Sequence, residues 1–289
     1  MALIDRIRYC RHREPARFRP FLAAGRRVGW VGDRLADRLR GFPRTFAVDD
    51  RAVRLADALT SFDSRSRAVA EAVDRLREEG WFPGWRDELF PVGTSFHASP
   101  LLQIERAAAR HFGIRCYCVQ LNGLVDGGDG LQMWIARRSM TKPIGPGKLD
   151  QIVGGGVPAG MGLRACLIKE CAEEASIPEA LAVQARPVGA VAYLRQDGDI
   201  ADDEVMFNYD LALPADFTPS NADGEVAGFE LWPAGRVKAV LADTEDVLFD
   251  VALCLIDCLV RHGLVGPPDP SYIDIAEGLW SVPAEELAA

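Results

Sequence analysis

GGGVPAGMGLRACLIKECAEEASIP, running from Gly154 to Pro178, is the stretch that decides how this chain folds and what it does. A glycine-rich turn leads into a segment whose apolar residues Leu167, Ile168, Cys171 and Ala175 recur at helical spacing. Glu170, Glu173 and Glu174 stand at i, i+3 and i+4, so on a helix they project from one face while the apolar set turns to a core. Two carboxylates about 4 Å apart at a partly exposed site repel by roughly 4 kcal/mol at an effective dielectric of about 20. Such a cluster stays ionised only beside a compensating cation, and a hard divalent ion such as Mg2+ or Mn2+ suits its oxygen donors. An E-x-x-E-E run by itself is usually a solvated helix face. The glycines at Gly154, Gly155, Gly156 and Gly160 set this one apart.

With 289 residues, 48% of them hydrophobic, the chain is long enough for two ordinary domains. Charge divides it: residues 1–110 hold 21 arginines against 15 carboxylates, a net +6, and the remainder holds 12 basic and 27 acidic residues, a net −15. An acidic half suits a site where metal ions, rather than arginines, meet phosphate, and it argues against nucleic-acid binding. In the first half the basic residues are interleaved with acids and form no continuous block. No apolar run approaches the roughly 20 residues that cross a bilayer and no secretory core is present, so a soluble cytoplasmic protein without membrane association is expected. The seven cysteines, Cys10, Cys116, Cys118, Cys166, Cys171, Cys254 and Cys258, show no C-x-x-C pair or matching histidine spacing, which disfavours zinc or disulfide frameworks.

Periodicity and punctuation predict helices over residues 3–9 and 68–80, near Leu101–His111, and over Asp246–His262. Strands are predicted at Arg27–Val31, Thr45–Val48, Cys116–Leu121, Leu131–Ala136, Pro187–Leu194, Glu204–Ala212 and Phe229–Trp232. The segment Gly80–Val92 reads as a packed loop or short strand. The division expected is an N-terminal α+β domain over 1–110, an α/β layered domain over 111–262, and an extended tail over 263–289 that packs back on the body. The first half is expected to help enclose substrate or to form a homodimer.

The Gly154–Pro178 run resembles the Nudix box. Gly155 takes its first glycine, Glu170 the glutamate of its Arg-Glu pair, Glu173 and Glu174 its Glu-Glu pair, and Ile177 its last apolar position. Met161 stands where the box has its first glutamate, Lys169 where it has arginine, and Ser176 where it has its last glycine. The segments Gly80–Val92, Glu105–Ala108, Trp134–Ser139, Pro146–Asp150, Asn208–Pro214 and Asn221–Val226 extend the likeness to the Nudix branch related to thiamine pyrophosphokinase. Gln120-Leu-Asn-Gly-Leu-Val125 departs from that branch, which often has histidine before the Asn-Gly pair.

The resemblance implies an α/β/α sandwich with a mixed sheet, and a metal-dependent hydrolase of the MutT-like class that cleaves a small organic diphosphate, with thiamine diphosphate or its oxidised analogues as substrates. It also implies that Glu170, Glu173 and Glu174 hold Mg2+ or Mn2+. Proton removal falls to Glu174 or to Glu225, which Gly224 suits for a turn toward the metal. Arg138 and Lys142 are candidates for the terminal phosphate, and Gly155 and Gly156 for further substrate contact. Two rivals stand beside this reading: hydrolysis of a nucleoside diphosphate derivative such as ADP-ribose, and a noncatalytic ligand-binding module, which the loss at Met161 permits.

Overall fold

A computed structural model describes residues 2–12, 14 and 17–280. In chain order the first half contains α1 (Leu3–Tyr9), β1 (Phe18–Ala23), β2 (Arg26–Gly32), α2 (Asp33–Leu39), β3 (Phe46–Val48), β4 (Val53–Leu55), α3 (Phe62–Glu78), β5 (Leu89–Val92), β6 (Leu102–Glu105) and α4 (Arg106–Ala109). The second contains β7 (Cys116–Asp126), β8 (Leu131–Arg138), β9 (Leu149–Gln151), β10 (Val153–Gly156), α5 (Leu163–Ala175), α6 (Glu179–Ala182), β11 (Arg186–Asp197), β12 (Ile200–Ala212), β13 (Val226–Pro233), α7 (Ala234–Asp243), α8 (Phe249–Arg261) and α9 (Tyr272–Trp280).

The second half is a mixed sheet between helices. β7 and β12 run parallel from Cys116 opposite Glu204 to Leu124 opposite Ala212, and β11 pairs antiparallel with β12. β8 pairs with β7 only at Leu124–Asp126; farther along, β9 follows β8 and β10 follows β7. The sheet therefore opens between the β8–β9 and β7–β10 pairs, and the glycine-rich run lies at that opening. Leu167, Cys171 and Ala175 of α5 pack on one face with Val119, Leu121 and Tyr209; α7 and α8 cover the other. The α8 residues Val251–Leu259 are all buried, because that helix lies between the sheet and a further layer made by α1 and α9.

Three local expectations are corrected. The tail is helical over Tyr272–Trp280 and packs on α1, where Ile275 and Leu279 join the core of Ile4 and Ile7. The helix expected near Leu101–His111 starts as a strand: Leu102 and Ile104 alternate inward and pair with Val92 and Phe90 before Glu105 caps α4. The helix expected from residue 68 begins at Phe62, since Ser61 accepts from the Ser64 amide in a capping box.

The first half has its own core around Phe21, Phe46, Phe82 and Phe112, with the Phe21 and Phe112 centroids 5.3 Å apart. It joins the second half through the Ile200–Val31 pairing and through Arg110, which reaches Asp202 at 2.9 Å and Asp197 at 2.8 Å. The β5–β6 hairpin meets the glycine-rich loop directly, with the Ala159 N–H donating to the Leu89 carbonyl at 2.8 Å. Among the described residues no helix is long and apolar enough to cross a membrane.

Candidate active site

Helix α5 is seated by its apolar face, and its acidic face is drawn against β10 by glycine. A Cβ at Gly155 would lie 2.3 Å from the Glu170 carboxyl carbon, so only glycine lets that side chain approach. Next to it the Gly154 N–H donates to Glu174 Oε2 at 2.8 Å. The helix stops at Ser176, whose φ of 50° is left-handed. Glycine takes that conformation without the roughly 1 kcal/mol that a Cβ adds.

In this structure the three helix carboxylates have different neighbours. Lys169 Nζ lies 2.7 Å from Glu173 and 3.1 Å from Glu170, so this ammonium compensates part of the charge on the helix face. Glu174, only 7% exposed, turns instead toward a second loop. There Glu174, Asp223 and Glu225 place carboxylate oxygens within 4.8 Å of one another.

That loop is fastened to the end of α5. The Ser220 and Ala222 N–H groups donate to the Ala175 and Glu173 carbonyls at 3.2 and 3.1 Å, and Asn221 Nδ2 to the Glu174 carbonyl at 3.2 Å, satisfying groups that a helix end leaves orphaned. Asn221 and Asp223 shape the turn by accepting from the Gly224 and Glu225 N–H groups, and Gly224 takes a φ of 81°. The turn expected at Gly224 thus carries Glu225 to Glu174. Asp223 was not singled out from sequence; its signal was the N-A-D-G-E turn itself.

Burial dominates the electrostatics. It pushes the Glu174 pKa up to about 8; Asp150 and Glu170 act in the same direction, against the Gly154 N–H and the Lys142 charge. Glu170 is also raised by burial, with Lys169 opposing. Burial acts upward on Glu225 too, but hydrogen bonding and charge from Lys142, with the charge of Arg86, outweigh it and hold this carboxyl below the usual range.

The cleft is lined by Arg138, Lys142, Asp150, Gln151, Glu174 and Glu225. Lys142 is bonded to Glu225 Oε2. Arg138 faces the cleft, but its guanidinium is committed to Asp150 at 2.5 Å and to the Ile144 carbonyl. Gly155 and Gly156 pair with Val119 and Cys118 of β7, and the Phe90 ring of the first half stands over Gly156. Arg86, also from the first half, lies 3.2 Å from Glu225 Oε1. No spacing or composition marked this lone arginine. Met161 packs partly buried against the α5 core and offers the site no oxygen.

The mixed sheet between helices, with the carboxylate helix α5 packed on one face, agrees with the α/β/α sandwich the sequence resemblance implied. Residues 121–249 match the NUDIX domain, and residues 2–116 match a domain of unknown function (DUF4743). Nudix hydrolase 20, chloroplastic, of Arabidopsis thaliana is 40% identical over 271 residues, covering 91% of this chain and 72% of the relative. Nudix hydrolase 24, chloroplastic, of the same plant is 40% identical over 260 residues, covering 89% and 71%. A crystal structure from Deinococcus radiodurans is 24% identical with a TM-score of 0.47, covering 59% of this chain and 99% of that one. The chain belongs to the Nudix hydrolase family.

Proposed function

We propose that this protein is a cytoplasmic enzyme that hydrolyses the diphosphate linkage of a small organic diphosphate with Mg2+ or Mn2+, and that its substrate is thiamine diphosphate or one of its oxidised analogues. The observation that carries the reaction class is the meeting of Glu174, Asp223 and Glu225 beside Lys142 in one cleft. Three carboxylates offering only oxygen donors fit a hard divalent ion, and no soft ligand intrudes among them. Glu174, Asp223 and Glu225 would hold the ion, and Glu170 adds charge from the preceding turn of α5. When bound, the ion neutralises diphosphate charge and makes water a better nucleophile.

The chain's own residues do the rest. The Gly154 N–H orients Glu174, and the Asn221–Glu225 turn fixes the two loop carboxylates relative to it. Glu225, ionised beside Lys142, would give one oxygen to the ion and leave the other to accept a proton from the attacking water. Lys142 provides an ammonium for the departing phosphate, whereas Arg138 serves to hold Asp150 at the cleft wall. Glu173 keeps Lys169 across the outer face of the helix.

The choice of thiamine diphosphate is supported by the likeness, over both halves, to the branch related to thiamine pyrophosphokinase. A screen with Mg2+ and Mn2+ against thiamine diphosphate, its oxidised analogues, ADP-ribose and other nucleoside diphosphate derivatives tests this. The highest kcat/KM is expected on a thiamine compound, with release of the monophosphate. A preference for ADP-ribose would replace the substrate, and no turnover on any diphosphate would leave a ligand-binding module.

A further inference from the structure

We propose that Arg86, delivered by the N-terminal half, is a substrate-binding residue for the diphosphate, held on Glu225 until metal and substrate draw that carboxylate away. This rests on the metal-dependent hydrolysis proposed above.

The turn that carries Arg86 is built to hold one conformation. Gly84 has a φ of 78° and Asp87 a φ of 57°, a left-handed geometry that only Ala24 and Ser176 share among the described non-glycine residues. Backbone strain of this kind persists only where the surroundings enforce it, and it concentrates at functional sites. Here the enforcement is visible. Trp85 Nε1 donates to Asp87 Oδ1 at 2.7 Å, and the Arg77 guanidinium of α3 lies 4.2 Å from the centre of the Trp85 ring. Glu105, 5% exposed, accepts the Arg86 N–H at 3.1 Å and the Ala107 N–H at 3.3 Å. The main chain of Arg86 is thus tied to α3 and α4 while its side chain reaches into the other domain.

The side chain has donors to spare. Its ion pair is with Glu225 Oε1 at 3.2 Å, and 42% of it is exposed. The other arginines nearby are more heavily engaged: Arg138 with Asp150 and the Ile144 carbonyl, and Arg106 with Glu88 at 2.8 Å beneath the Phe90 ring. Glu225 is gripped from both sides, Arg86 on one oxygen and Lys142 on the other. One carboxylate cannot serve two cations and a divalent ion equally. Once Glu225 turns to the ion, Arg86 faces the cleft with its planar fork uncompensated, and a phosphate is the anion whose oxygens match that fork.

The test is calorimetry on the full chain with methylenediphosphonate, a diphosphate mimic that is not hydrolysed, with and without Mg2+. In the natural protein the mimic binds at least about 10-fold tighter with Mg2+ than without. Arg86→Gln is expected to weaken Mg2+-dependent binding by about 10- to 100-fold, the range for losing a charge-assisted pair, while Mg2+ binding alone stays equal or tightens. Arg86→Lys restores only part of the loss, since an ammonium lacks the fork. Mimic affinity within twofold of the natural protein in both variants would overturn the proposal and leave Arg86 a counter-ion of Glu225. If the natural protein binds neither Mg2+ nor the mimic, the hydrolase reading itself falls, and this inference with it.

Discussion

Replacing Glu174 by glutamine should make the metal-free protein more stable while making the enzyme worse. Glu174 is 7% exposed and its pKa is pushed from an ordinary 4.5 to about 8, chiefly by burial. A carboxyl raised in the fold stabilises most below its unfolded pKa, and that contribution is lost as pH climbs to the folded value. Between the two values the folded state keeps a proton that the unfolded state has released, at about 1.4 kcal/mol per pH unit. At pH 7 the cost is roughly 3 kcal/mol, and glutamine, of the same shape and unable to ionise, removes it while its carbonyl still accepts the Gly154 N–H. In EDTA at pH 7, Glu174→Gln should melt roughly 6 to 12 °C above the natural protein, and the gap should shrink to about 1 to 3 °C at pH 5 and close below about pH 4.5. Mg2+ should raise the melting temperature of the natural protein and move the variant less, while turnover in the variant falls about 30- to 1,000-fold. Scanning calorimetry at both pH values reads the first part and a steady-state assay the second. A variant that melts below the natural protein at pH 7, or a gap that does not depend on pH, would refute the reasoning.

Ser176→Gly should stabilise the protein by about 0.5 to 1 kcal/mol in urea unfolding without changing turnover, because a left-handed helix end is relieved of a Cβ. Gly155→Ala should lower turnover on the order of 10-fold and cost about 1 to 3 kcal/mol in the same unfolding experiment, since its Cβ would displace the Glu170 carboxyl. Met161→Glu should change Mg2+ affinity by less than about threefold in calorimetry, because the carboxylates already gathered suffice. Conversion of an inert chain into an efficient hydrolase by that substitution would mark the natural protein as a binding module.

Much of the fold was legible because it rests on local pattern. The apolar stripe of α5, the strands of the second half and the turn at Gly224 follow from spacing and residue type. The errors share a cause in tertiary context. Leu102 and Ile104 alternate over too few residues to outweigh the alanines that follow, and the α9 helix sits behind a proline cluster that reads as extended until its packing on α1 is known. At the site, sequence grouped Glu170, Glu173 and Glu174 because they are neighbours on one helix. What the pattern does not report is their neighbours: Lys169 lies beside two of them, and the acidic turn at Asp223 and Glu225 meets the third. Such partners meet only through the sheet, as does Arg86, so helical periodicity cannot report them.

The central claim is that Glu174, Asp223 and Glu225 form a metal-dependent diphosphate hydrolysis site, and its most direct test is the rate of monophosphate release against Mg2+ concentration for the natural protein and for Glu225→Gln. The account predicts a rate that rises and saturates with Mg2+, stops in EDTA, and falls about 30- to 1,000-fold in the variant, the loss of roughly 2 to 4 kcal/mol of transition-state stabilisation. A natural protein that releases no monophosphate from any diphosphate with Mg2+ or Mn2+, or a variant whose rate stays within twofold, would contradict it.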